Sequence, residues 1–165
     1  MIYRLPSLES PLDQGDLIQD CPLALFESLG GGGIPEVNWG TERVLVLTQT
    51  CDLAQGKTNR VVVAAAVDAE QVVLSGQFSP QAVQGQVRMA RVYGWYFLPA
   101  DDQLELPELI IDFNQLHSLP RHLLEQLCRD GHRVASVQTP FREHLAKHFA
   151  DTYSRIGLPE PYATQ

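Results

Sequence analysis

The chain lacks long apolar runs and has few cysteines. No stretch of its 165 residues approaches the roughly 20 apolar residues that a membrane-spanning helix needs. Residues 1–7 contain one basic residue and no apolar run of signal-peptide length. The three cysteines, Cys21, Cys51 and Cys128, are far apart and odd in number, unlike the dense, even set of a small secreted domain. We therefore expect a cytoplasmic protein with reduced thiols and no membrane contact.

Positive charge is also scarce. Twelve Lys and Arg residues stand against 20 Asp and Glu, which gives a net charge of -8. This excess disfavours the broad attraction on which non-specific binding to nucleic acid depends, although a local basic groove is compatible with it. A chain of this length that is 44% hydrophobic and 19% charged is typical of a globular protein, so residues 1–165 are expected to form a single domain.

Two valine-rich runs are the clearest structural signals. Residues 43–48 (Arg-Val-Leu-Val-Leu-Thr) and 60–66 (Arg-Val-Val-Val-Ala-Ala-Ala) are continuous apolar runs rich in β-branched residues, a pattern typical of strands buried on both faces. The segment 49–59 is too long for a tight turn but short enough to join antiparallel neighbours. We expect the two strands to lie side by side and to hold this segment open to solvent.

Weaker patterns predict the other elements. An edge strand is expected at 17–25, because Pro22 cannot donate to a central ladder. Glycines at 30–33 predict a flexible loop, since a phosphate-binding loop would continue as Gly-Lys-Ser/Thr. Further strands are predicted at 94–99, 108–113 and 132–137, and helices at about 79–92, 118–128 and 139–157, the last with Thr139 as N-cap.

These elements predict an α+β fold, with a mostly antiparallel sheet or small barrel and helices packed against it. Residues 1–113 are expected to form a barrel-like core with one inserted helix. Residues 114–165 are expected to form a helical extension, because most of the helix signals lie there.

The segment after the first valine-rich strand carries the most distinctive polar residues. Thr50, Cys51 and Asp52 directly follow a buried strand, and loops in such positions commonly carry function. As a nucleophile, Cys51 would need a nearby base or cation, and Asp52 beside it opposes thiolate formation. The alternative is a structural turn in which Thr50 and Asp52 bond backbone amides while Cys51 fills a small apolar pocket. The structural alternative is favoured, and both stay open.

His144 and His148 are four residues apart on the last predicted helix, so both rings would project from one face and could share a metal. Glu143 precedes the first histidine, whereas zinc proteases place a glutamate directly after it. Two histidines are also fewer than the three protein ligands typical of catalytic zinc. The pattern favours a solvated histidine pair, and no metal or other cofactor is expected.

Several cations could form a local basic patch. They lie on the last predicted helix and on the flanks of the segment 49–59: Arg142, Lys147 and Arg155, and Arg43, Lys57 and Arg60. A groove for phosphate would use such a patch. Scattered ion pairs with the 20 carboxylates are the favoured alternative.

The stretch Gly15-Asp16-Leu17-Ile18 and the two valine-rich strands resemble the opening of the PemK/MazF-like toxins over residues 14–68. In that family such strands build a barrel that cleaves RNA. The resemblance therefore implies a small SH3-like, mostly antiparallel β-barrel. Arg43 approximately matches a phosphate-handling Arg of the toxins. Val67-Asp68 stands where they have Thr or Ser, and an Asp there would repel a phosphate.

A closer similarity is to a family of uncharacterised bacterial and phage-encoded proteins. It rests on the strand end Thr-Gln-Thr-Cys-Asp-Leu and on a terminal helix with Arg-Glu-His-Leu and Arg-Ile-Gly-Leu-Pro, here residues 48–53, 142–145 and 155–159. This similarity spans most of the chain. It implies a phage-related or toxin–antitoxin setting but no established activity.

The leading hypothesis is a binding or regulatory module with a PemK/MazF-like barrel. Its partner stays open between RNA in a local basic groove, a protein, and a second copy of the chain. One alternative is a metal-independent ribonuclease in which Arg43 stabilises the phosphate and Asp52 or a histidine is the base. Another is a metal- or thiol-dependent site at Cys51 and Asp52 with the two helical histidines. The candidate residues are Cys51, Asp52 and Arg43 for catalysis, Thr50, Arg142 and Arg60 for binding, and His144 and His148 for a metal.

Overall fold

The computed structural model describes residues 1–29, 33 and 35–154. The fold is α+β, with a curled antiparallel sheet that forms a half-barrel. Its strands are β1 (Tyr3–Arg4), β2 (Asp16–Leu29), β3 (Pro35–Val46), β4 (Arg60–Asp68), β5 (Trp95–Leu98), β6 (Leu109–Pro120) and β7 (Arg133–Val137). The helices are α1 (Thr50–Ala54), α2 (Ala69–Leu74), α3 (Pro80–Ala82), α4 (Arg121–Arg129) and α5 (Phe141–Tyr153), and a π-helical turn at Val83–Val87 continues α3. The strand order is β1-β7-β2-β3-β4-β6-β5.

The two valine-rich runs are antiparallel neighbours, as predicted. Val44 pairs with Ala65 and Val46 with Val63, and side chains on successive residues point to opposite faces. Val44 and Val46 belong to one apolar cluster, whereas Leu45 belongs to another. Both faces are therefore buried, which explains why these strands read as continuous apolar runs.

Different helices cover the two faces of the sheet. On one face, Leu145 of α5 joins the cluster that contains Leu45 and Phe113. On the other face, Leu53 of α1 and Leu124 of α4 join the cluster that contains Val44. A third cluster packs α2 and the π-helical turn against Ile110 of β6. Within the described residues, no helix is both long and apolar enough to cross a membrane.

The prediction of an edge strand at 17–25 is confirmed only in part. β2 lies between β7 and β3, but β7 pairs only with Asp16–Ile18. Pro22 pairs with Thr41 of β3 and lies beyond the part of β2 that β7 reaches. A proline without an N–H is tolerated there because β2 has one free edge at that point.

The predicted change of architecture at residue 113 does not coincide with a structural boundary. β6 continues to Pro120, and β7 pairs with both β1 and β2, so the sheet includes strands from both sides of this position. Before residue 113 the chain forms α1, α2 and α3 rather than one inserted helix. The predicted helix 79–92 is shorter, because regular α3 ends at Ala82 and its π-helical continuation ends at Val87.

The last helix begins one residue later than predicted. Pro140 is the N-cap of α5, and Thr139 makes no capping bond; its hydroxyl donates to Glu143 Oε1 at 2.9 Å. α5 ends at Tyr153, and the predicted continuation to residue 157 lies outside the described residues, as does most of the glycine loop at 30–33.

Candidate functional site

Asp13 connects two of the predicted binding residues. The Thr50 hydroxyl donates to Asp13 Oδ1 at 2.5 Å, and Arg142 Nη1 donates to Asp13 Oδ2 at 2.9 Å. The nearby turn requires glycine at position 15, because Gly15 has a φ of +85° and a Cβ there would lie 3.2 Å from Val137 Cβ. The sequence gave no sign that Asp13 joins α1 to α5.

The guanidinium of Arg142 is paired with carboxylates of the same chain. Besides Asp13, it pairs with Glu143 Oε1 at 3.2 Å. The hydrogen bond from Thr139 is the largest of the effects that lower the pKa of Glu143, and it keeps this carboxylate charged beside Arg142. Because two carboxylates contact Arg142, its position does not favour a phosphate ligand.

Cys51 lies on the exposed side of α1. Its Sγ is 3.6 Å from Gln49 Oε1 and 3.9 Å from Asp52 Oδ1, both of which accept from a protonated thiol. In the described part of the chain, no histidine or cation bonds to this sulfur. The predicted burial of Cys51 in an apolar pocket was wrong. The predicted capping of backbone amides was also wrong, since Thr50 bonds a carboxylate and Asp52 faces Lys57 at 3.9 Å.

The three thiols are expected to differ sharply in reactivity. Cys21 and Cys128 are buried, and burial raises the pKa of each from 9.0 to about 11, so neither is accessible or ionised at pH 8. We expect the native protein to react rapidly with Ellman's reagent at one thiol, Cys51, and at all three after denaturation. The variant Cys51→Ser should lose the rapid reaction, and two rapidly reacting thiols in the native protein would contradict this structure.

His144 and His148 do not form the predicted solvated pair. His148 is buried, and its Nε2 lies 3.0 Å from the carbonyl oxygen of Trp95 and 3.2 Å from that of Val92, so this nitrogen carries the proton. His144 instead contacts the Tyr96 hydroxyl through Nδ1 at 2.9 Å. The two rings therefore have different hydrogen-bond partners, although both pack against the Tyr96 ring. The described residues contain no group of three or more side chains suited to holding a metal ion.

The predicted basic patch is dispersed. Arg60 begins β4, and its guanidinium bonds the side chain and carbonyl of Ser118. Arg43 directly precedes Val44, which pairs with Ala65 of β4. Ala65 is five residues along β4 from Arg60, so the two arginines lie about 17 Å apart along the sheet. Lys147 pairs with Asp151 at 2.5 Å. These cations therefore do not converge on one phosphate.

Arg43 lies in a cleft where β3 and β4 separate. The ladder between these strands covers only Val44–Val46 on β3, although both strands continue beyond it. The resulting cleft has a volume of about 300 Å³, and we name it the Arg43 cleft. Its lining comes from β2, β3, β4 and α2: Gln19, Asp20, Thr41, Glu42, Arg43, Ala66, Val67, Asp68 and Gln71.

Most hydrogen-bond donors of the Arg43 side chain have no acceptor within the described part of the chain. A guanidinium has five N–H donors, and here Nη1 donates to Asp68 Oδ1 at 2.5 Å. The Nε atom is buried without an acceptor in the described structure. The side chain is 24% exposed, so part of the guanidinium is open to the cleft. Sequence reasoning selected Arg43 and noted Asp68 separately, but it did not predict their contact.

Carboxylates dominate the charge of the Arg43 cleft. Asp20 lies in a β-bulge of β2 with a φ of +54°, and it contacts His132 Nδ1 at 3.3 Å. Glu42 is exposed and has no ion-pair partner among the described residues. Asp68 is paired with Arg43. The lining thus combines one cation with three carboxylates, an arrangement that attracts positive rather than negative ligands.

No protein-family model matches the sequence, and no curated protein is significantly similar to it.

Proposed function

We propose that this chain is a binding module that holds its ligand in the Arg43 cleft and does not cut RNA. The observation that carries the proposal is Arg43 itself, whose guanidinium is fixed by Asp68, is partly exposed to an open cleft and has most of its donors unpaired within the described residues. Polar groups placed in a concave site in this way commonly orient a ligand.

The finer fold assignment belongs to the same proposal. We propose an SH3-like barrel related to the PemK/MazF-like toxins, in a cytoplasmic, phage-related or toxin–antitoxin setting. The curled antiparallel sheet supports it, as does the turn at Gly15-Asp16 that opens β2 ahead of the two valine-rich strands.

The ribonuclease alternative has weaker support from the geometry. Arg43 would have to stabilise a phosphate while paired with Asp68 and while Asp20 and Glu42 line the same cleft. These carboxylates would repel the developing negative charge. Asp52, the proposed base, lies beyond the far end of the β3–β4 ladder, next to Lys57.

A selection experiment tests the binding proposal. A displayed library of random dodecapeptides is selected on the purified protein, and the enriched peptides are measured against variants. Arg43→Ala is expected to weaken binding at least about tenfold, a loss of about 1.4 kcal/mol. Arg91→Ala is the matched control, because Arg91 is exposed and outside the cleft.

Two outcomes would contradict the proposal. One is a selection in which no enriched peptide depends on Arg43. The other is cleavage of a labelled mixed-sequence RNA by the pure protein that Arg43→Ala abolishes, which would support the ribonuclease instead.

A further inference from the structure

We infer that the ligand of the Arg43 cleft is an extended segment of a partner protein that carries at least one Lys or Arg side chain. This inference rests on the proposed binding function and names the chemistry of its ligand.

Charge is the first argument. Asp68 is compensated by Arg43, whereas Glu42 has no ion-pair partner in the described part of the chain, and Asp20 has only a histidine. A ligand cation would therefore gain two carboxylate partners at the mouth of the cleft, and a phosphate would face both of them.

The free strand edges are the second argument. Within the described residues, β3 before Val44 and β4 after Ala65 have no ladder partner across the cleft, while their opposite edges pair with β2 and β6. An extended chain can bond to such an edge through its own backbone, with its side chains supplying specificity.

Arg43 supplies the third argument. The exposed part of its guanidinium has N–H groups without an acceptor among the described residues, and peptide carbonyl oxygens are neutral acceptors that the nearby carboxylates do not repel. One segment can thus satisfy the guanidinium with its backbone and the carboxylates with its basic side chain.

The size of the cleft agrees with a segment rather than an enclosed small molecule. Its volume of about 300 Å³ is at the lower limit of the roughly 300–1,000 Å³ of small-molecule sites. A peptide can place one or two side chains there while the rest of the segment lies outside.

The test uses the dodecapeptide that is enriched most strongly in the selection described above. We expect it to contain Lys or Arg, and we expect replacement of those residues by Gln to weaken binding at least about tenfold. The variant Glu42→Gln should weaken binding of the original peptide about threefold or more, whereas Glu9→Gln, at an exposed carboxylate outside the cleft, should not. Backbone amide shifts of the labelled protein should concentrate at Thr41–Arg43 and Ala66–Asp68.

The outcomes separate this inference from the proposed function. Arg43-dependent peptides without a basic residue, or amide shifts confined to other elements, would overturn the inference and leave a binding module. Arg43-dependent binding of a labelled RNA in place of any peptide would also overturn it. If nothing binds through Arg43, the proposed function itself fails.

Discussion

Replacing Arg133 with alanine is expected to lower the free energy of unfolding by about 3–5 kcal/mol. The Arg133 side chain is 2% exposed, and it donates from Nη1 to Asp16 Oδ2 at 2.9 Å. It also donates to the carbonyl oxygens of Ser7, Ser10 and Pro11 at 2.8–3.0 Å. The substitution would leave a buried carboxylate and three carbonyl groups without this donor, which explains the large expected loss.

Urea denaturation at neutral pH measures this loss. The control is Arg129→Ala. Arg129 is exposed on α4 and, among the described residues, its side chain bonds only Gln126, so the substitution should change stability by no more than about 0.5 kcal/mol. A loss below about 1 kcal/mol for Arg133→Ala would contradict the buried ion pair.

The effect of Arg133→Ala is also expected to depend on pH. Burial already raises the pKa of Asp16, while Arg133 lowers it, so removing Arg133 raises the pKa of this carboxyl further. A carboxyl with a raised folded-state pKa favours folding below its unfolded pKa and loses that contribution as the pH rises through the folded value. The difference between variant and wild type should therefore be smaller in acid than at neutral pH.

Leu45→Ala is expected to lower the free energy of unfolding by about 2–5 kcal/mol, and this is the second large effect. Leu45 is fully buried near the carboxyl end of β3, the central strand of the sheet, and packs in the cluster that α5 covers. Removing its isobutyl group would leave a cavity between sheet and helix, where the surroundings cannot fully collapse.

The same substitution at Leu74 provides the control. Leu74 ends α2 and is 71% exposed, so Leu74→Ala should change the urea midpoint very little. Equal losses at both positions would contradict the placement of β3 in the centre of the sheet.

The central strands could be predicted because their signal is local. Residues 44–47 and 61–66 are apolar at every position, and short runs of this kind that are rich in valine favour strands buried on both faces. The continuation of the sheet beyond residue 113 could not be predicted in the same way, because β6 and β7 pair with strands far away in the sequence. The strand predicted at 132–137 is present as β7, but helical spacing after residue 118 concealed the extension of β6 to Pro120 and gave no sign of where β7 pairs.

The site depends on long-range contacts that sequence patterns do not encode. Asp13 joins Thr50 to Arg142 across 37 and 129 residues, and Arg43 meets Asp68 only because β3 and β4 are neighbours. The helical spacing of His144 and His148 correctly predicted a shared helix. It could not show that His148 Nε2 would contact two carbonyl oxygens, one of Val92 shortly before β5 and one of Trp95 at the start of β5.

The order in which the partners of the buried ion pair are synthesised has a consequence for folding on the ribosome. Asp16 belongs to the second strand made, whereas Arg133 belongs to the last. A nascent chain that ends before β7 has already exposed most of its apolar strands but has no counter-ion for Asp16. Completion of the native sheet must therefore wait until β7 has been translated, and truncations before β7 leave Asp16 without its counter-ion.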